Sequence, residues 1–150
     1  MLHSFADGAD GAHPSAGLID VKGTLYGTTG AGGAYSCGSK GCGTVFSITP
    51  GGTEDVLHSF GNLADGTLPQ ASLVELNGKL YGTTTSGGAY DQGTVFRITP
   101  GGKEKVLYSF EGANGAQPLA GLIDVSGTLY GTTSAGGAYG DGTVFALKLW

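Results

Sequence analysis

Charge is what this chain has least of. Only 13 % of its 150 residues are Asp, Glu, Lys or Arg, about half the usual share. The 7 Lys and Arg form no cluster, and the formal net charge is −5. That excludes an electrostatic footprint for nucleic acid or for an anionic membrane surface. No apolar run approaches the roughly 18–20 residues of a membrane-spanning helix, so no membrane span is expected. Nor does any segment show a convincing helical period, which points away from helices altogether. A sparsely charged surface must be covered instead by Ser, Thr, Gly and Tyr, as in many all-β scaffolds.

Glycine is what is abundant, at 31 residues, about three times its usual share. Such a content borders on low-complexity disorder, yet the glycines recur at fixed places between short apolar runs. Leu-Tyr-Gly-Thr-Thr stands at Leu25–Thr29, Leu80–Thr84 and Leu129–Thr133. Gly-Thr-Val-Phe follows at Gly43–Phe46, Gly93–Phe96 and Gly142–Phe145, and Leu-(His/Tyr)-Ser-Phe at Leu2–Phe5, Leu57–Phe60 and Leu107–Phe110. A period of roughly 50 residues means units that cannot bury their apolar faces alone and must pack on their neighbours.

Each unit reads as four short strands. Leu18–Val21, Leu73–Leu76 and Leu122–Val125 come first, each ended by a glycine turn of hairpin type (Asn77-Gly78 is the strongest). Leu-Tyr-Gly-Thr-Thr is the second strand, aromatic and β-branched. Gly-Thr-Val-Phe opens the third, which Pro50-Gly51-Gly52 and Pro100-Gly101-Gly102 end. The fourth is Asp55–Phe60 or Lys105–Phe110. The expected fold class is all-β, with four-stranded blades of the size found in β-propellers. The single repeat domain divides into units of approximately 6–60, 61–110 and 111–150, with an N-terminal strand over 2–5.

That lone first strand has a counterpart at the other end, where the last unit stops at its third strand, Thr143–Leu149. Three blades are too few for a propeller, which typically has 4–8. Head-to-tail association would let strand 2–5 complete the last blade of a neighbouring chain. Two chains then give a six-bladed ring and three give nine, and the expectation is a homodimer, with a trimer as the variant. The alternative fold is a β-trefoil, also three four-stranded repeats in this length, as a monomer.

The run Ser-Phe, Asp/Asn-Gly-x-x-Pro, Gly-Leu-Ile, Gly-Thr-Leu-Tyr-Gly-Thr-Thr, Gly-Gly-Ala-Tyr, Gly-Thr-Val-Phe resembles the "GloVer" (Gloeo/Verruco-type) tandem repeat of bacterial surface and secreted proteins. The resemblance spans essentially the whole chain in all three copies. The second copy departs with Ala71-Ser72-Leu73-Val74, and the third ends in Ala146-Leu147-Lys148-Leu149-Trp150. What the resemblance implies is a propeller-like extracellular repeat protein, with more repeats per chain than here and no established catalytic activity.

Several residues are candidates for chemistry. Cys37 and Cys42 lie at the two ends of a glycine-rich expansion found in the first unit alone, and read as a local disulfide. A metal would want four ligands, and no companion Cys or His pair accompanies these thiols. A disulfide argues for an oxidising, extracellular or cell-surface setting, although Met1–Phe5 already lies inside a repeat and carries no signal-peptide pattern. The expectation there is a processed, excised or engineered segment.

Asp20, Glu75 and Asp124 share one repeat position and could ring a central channel. The plain alternative is a set of solvated acids at hairpin ends. Tyr35, Tyr90 and Tyr139 sit in loops beside Asp and Gln, where they could stack on sugar rings or simply anchor turns. Asp7, Asp10, Asp65 and Asn114 precede glycines as turn residues do, and lack the spacing of a calcium loop. His3 and His58 share their position with Tyr108, so nothing in the pattern demands an imidazole. The expected function is a non-enzymatic scaffold or interaction module, with no cofactor and no metal. A carbohydrate-binding, lectin-like propeller is the alternative, and an enzyme using one propeller face is the weaker third reading.

Overall fold

In a computed structural model, which describes residues 1–62 and 64–149, eleven strands and one short 3-10 turn at Gly8–Asp10 account for the regular structure. Leu63 and Trp150, the latter closing the expected third unit, lie outside the described residues. The strands are β1 (Ile19–Val21), β2 (Thr24–Thr29), β3 (Thr44–Ile48), β4 (Glu54–Ser59), β5 (Val74–Leu76), β6 (Lys79–Thr84), β7 (Thr94–Ile98), β8 (Glu104–Ser109), β9 (Ile123–Val125), β10 (Thr128–Thr133) and β11 (Thr143–Lys148). They form three antiparallel meanders, β1-β2-β3-β4, β5-β6-β7-β8 and β9-β10-β11. The expected all-β class is therefore present, with one antiparallel sheet to each repeat. The third sheet has three strands, as the missing outer strand led us to expect.

Register follows the repeat. Leu25 pairs with Ile48, Leu80 with Ile98 and Leu129 with Leu147. A bulge between Val45 and Phe46 recurs between Val95 and Phe96, where the outer strand joins. The glycine of Leu-Tyr-Gly-Thr-Thr makes room for the phenylalanine across the ladder. A methyl group on Gly82 would lie 2.6 Å from the Phe96 ring and 2.8 Å from Leu73. The two threonines that close each pair of middle strands share a hydrogen bond of 2.8 Å, Thr29 with Thr44, Thr84 with Thr94 and Thr133 with Thr143. These buried hydroxyls are thus satisfied within the sheet.

The sheets stack through a joint that is written out three times. Phe60, at the end of β4, meets Phe96 of the second sheet edge-on at 5.0 Å, and Phe110 meets Phe145 of the third in the same way at 5.0 Å. Phe5 meets Phe46 of the first sheet at 5.1 Å. Residues 2–5 therefore lie against the first sheet as β4 lies against the second. In the single chain they pair with no strand. Backbone bonds reinforce the joints, Leu68 N–H donating to the Cys42 carbonyl and Gln117 N–H to that of Gln92. The first strands of successive sheets approach one another, β1 with β5 and β5 with β9.

Candidate functional site

The repeated acids have a local role. Each carboxylate accepts the backbone N–H three residues on, Gly23 to Asp20 at 2.8 Å, Gly78 to Glu75 at 2.6 Å and Gly127 to Asp124 at 2.9 Å. That bond holds the β1–β2 turn and its equivalents, in which Lys22, Asn77 and Ser126 take positive φ. Asp20 and Glu75 also face one open groove of about 530 Å³ between the first two sheets, with Lys22, Tyr26 and Pro100. They are hairpin locks first, and a negatively charged groove lining second.

The loop tyrosines are exposed, Tyr139 at 94 %. Tyr35 borders a different recess, with His58, Ser59 and Asn62. Tyr35 and the acids Asp20 and Glu75 therefore line different recesses. Cys37 and Cys42 form the expected disulfide, Cα atoms 5.0 Å apart. Cys42 is wholly buried in the cluster of Phe60, Leu73 and Phe96, so the bridge ties the long loop of the first unit to the joint between sheets.

A second constellation joins residues that the sequence pattern reads as plain turn and strand positions, His3, His58, Asp10 and Asp65, to two glutamates it does not single out. His3 Nε2 lies 3.2 Å from Asp10 Oδ1, and His58 Nε2 lies 2.9 Å from Asp65 Oδ2. The backbone fixes both acids, through Ala6 N–H to Asp10 at 2.7 Å and Gly61 N–H to Asp65 at 3.1 Å. Each imidazole stands edge-on to the joint phenylalanine, His3 on Phe5 and His58 on Phe60. A glutamate from the outer strand of the next sheet completes each set, Glu54 for the first and Glu104 for the second. Glu54 Oε1 and Glu104 Oε1 are shut off from water without a hydrogen-bond partner.

Burial pushes the Glu54 carboxyl up, and Asp10 adds to the rise. Burial raises Glu104 to about 7, with His58 opposing and Asp65 reinforcing the shift. At the third joint Tyr108 and Asn114 replace the pair and bond to each other directly. The signal was present in the sequence as His, then Asp seven residues later, then Glu two residues past Pro-Gly-Gly. A substitution by Tyr in the third copy hid it, as did unequal spacings of 51 and 46 residues from His to Glu, caused by the cysteine loop.

Recurring sheets, joints and turn locks define the class, an all-β tandem-repeat protein. The Gloeobacter/Verrucomicrobia repeat matches residues 1–145, and the chain belongs to that family. Comparison with curated proteins gave no match. No helix among the described residues is long and apolar enough to cross a membrane.

Proposed function

We propose that the chain is a non-enzymatic β-propeller module, a scaffold that assembles head to tail by lending residues 2–5 to the open third sheet of another copy. One observation carries the reading. Val144 is 80 % exposed, whereas its equivalents Val45 and Val95 are at 0 %. The matching surface at the other end is bare too, since Leu18 is 51 % exposed against 4 % for Leu73 and 6 % for Leu122. Both halves of one joint are thus uncovered, and their union buries them as the two internal joints do.

The equivalences name the contacts. Phe5 of one copy already stacks on its own first sheet, so its strand is offered edge-outward to β11 of the next. Pro14 would cover Gly142, as Pro69 covers Gly43 and Pro118 covers Gly93. His13 N–H would reach the carbonyl of Asp141, as Leu68 reaches Cys42 and Gln117 reaches Gln92. Two copies close six blades. The disulfide fits an oxidising, extracellular or cell-surface setting.

Light scattering behind a sizing column tests the assembly. A mass of two 14.9 kDa chains is the expected result, three chains would mean nine blades, and a monomer at micromolar concentration would end the shared-ring reading. The second reading, carbohydrate binding, rests on the exposed loop tyrosines. A glycan array would reveal it as signal lost on replacing Tyr139 and Tyr90 together by Ala.

A further inference from the structure

The first joint holds more than packing. A ring nitrogen of His3, a carboxylate oxygen of Asp10 and one of Glu54 lie within 4.8 Å of one another, and no other such group occurs among the described residues. Three separate segments supply them, the N-terminal segment, the turn Gly8–Asp10 and strand β4. Chain neighbourhood alone therefore does not explain the convergence of all three.

The donors are also held in place. Phe5 supports the His3 ring edge-on at 4.8 Å. Ala6 N–H donates to Asp10 Oδ2 at 2.7 Å, and His3 Nε2 lies 3.2 Å from Oδ1 and 3.3 Å from Oδ2. Two ligands of a tetrahedral ion with bonds of 2.0–2.1 Å are about 3.3 Å apart, so the His3–Asp10 separation, a hydrogen bond without metal, also suits two ligands around one ion. Glu54 Oε1 is closed to water with no hydrogen-bond donor on it, and the same carboxyl reaches that of Asp10. Two carboxylates in contact beside one imidazole are costly in a half-buried joint unless a proton or a cation sits between them.

We infer that His3, Asp10 and Glu54 form a binding site for a divalent transition ion of the zinc type, which clamps the N-terminal segment to the outer strand of the first sheet. One imidazole and two carboxylates suit zinc or cobalt better than calcium or magnesium, which prefer oxygen alone. Two carboxylates and one divalent ion are together neutral, and a water completes the coordination. The third joint makes the contrast, because Tyr108 and Asn114 satisfy each other there and need no ion. The inference stands independently of self-assembly, since every ligand comes from one chain.

The test uses the full chain without an affinity tag, stripped of metal by chelation. Cobalt(II) is expected to give the visible absorption of a four-coordinate site at one equivalent, and zinc to displace it. At a hundredfold excess over Kd, zinc should raise the melting temperature by about 5–10 °C, with magnesium as the inactive comparison. His3→Ala should abolish both signals while circular dichroism keeps the β spectrum. Asp10→Asn, which retains an oxygen for Ala6 N–H, should weaken zinc binding at least about tenfold if the variant without imidazole folds poorly. His13→Ala should change nothing. No cobalt absorption and no zinc shift would overturn the assignment. So would signals that survive His3→Ala, or that vanish only with His58→Ala.

Discussion

The second sheet and the third are built from nearly the same words, yet one has four strands and a covered core and the other three strands and an open face. Val95 and Val144 occupy the same ladder position before a phenylalanine, and the first is fully buried while the second faces water. Thr28 on the first sheet donates to the carbonyl of Ala71 across the joint, and its equivalent Thr132 on the third is exposed. Identical local sequence therefore yields the same strands and turns in both, while burial comes from the neighbour. Secondary structure is local here, and the core is shared between repeats.

Placing one acid at both sites separates the two roles most sharply. Val95→Asp puts an unpaired carboxylate in a dry joint and should cost more than about 4 kcal/mol in urea unfolding. Val144→Asp should leave the stability of a dilute single chain within about 0.5 kcal/mol of wild type. In light scattering the same change should reduce any assembly to single chains. Equal destabilisation by the two substitutions would mean that the third sheet is not open in solution.

A smaller difference is expected where the glycines meet the phenylalanines. Gly82→Ala forces Phe96 to move, and Phe96 is fixed on its other side by Phe60 at 5.0 Å. Overpacking of that kind should cost about 1–3 kcal/mol. Gly131→Ala makes the same contact with Phe145, 2.6 Å from the ring. Phe145 meets Phe110 at the same 5.0 Å but is only partly buried on the open sheet and can shift toward water, so the cost should be visibly lower by the same urea titration.

The repeat made the strands legible because turn chemistry and strand composition act over a few residues. Asn77-Gly78, Pro100-Gly101-Gly102 and Leu80–Thr84 each announce their own conformation, and all three stand where they were expected. The disulfide was legible for the same reason, its cysteines being only five residues apart. What could not be read was anything built between units. The lock from Asp20 to Gly23 N–H competes with a channel-lining role, and only the three-dimensional turn shows which partner the carboxylate has. The His–Asp–Glu sets needed residues 51 and 46 positions apart to meet across a joint. A pattern drawn from three copies discards whatever one copy does not keep, and Tyr108 was enough to remove it.

The disulfide closes a short ring, so its reduction should lower stability by about 2 kcal/mol on the loop-entropy account. The joint between the first and second sheets should loosen with it, because Cys42 packs there and its carbonyl receives Leu68 N–H. The second joint has no such bridge. Hydrogen exchange should therefore quicken at Leu68 on reduction and stay unchanged at Gln117.

The smallest expected effect distinguishes the same joints by pH. Glu104 holds its proton up to about 7 in the fold, against 4.5 when exposed, because burial between His58 and Asp65 disfavours the charged form. Between those values the folded state binds more protons than the unfolded one, so stability falls as pH rises. The contribution is complete below about 4.5 and gone once the pH has passed about 7. Solvent reaches part of this carboxyl, so about 1 kcal/mol is the expected size. Glu104→Gln should flatten that slope and stabilise the chain at pH 8, as measured by urea unfolding at pH 5 and pH 8. A slope unchanged by Glu104→Gln would place the proton elsewhere, and would leave the buried Oε1 at this joint without a physical account.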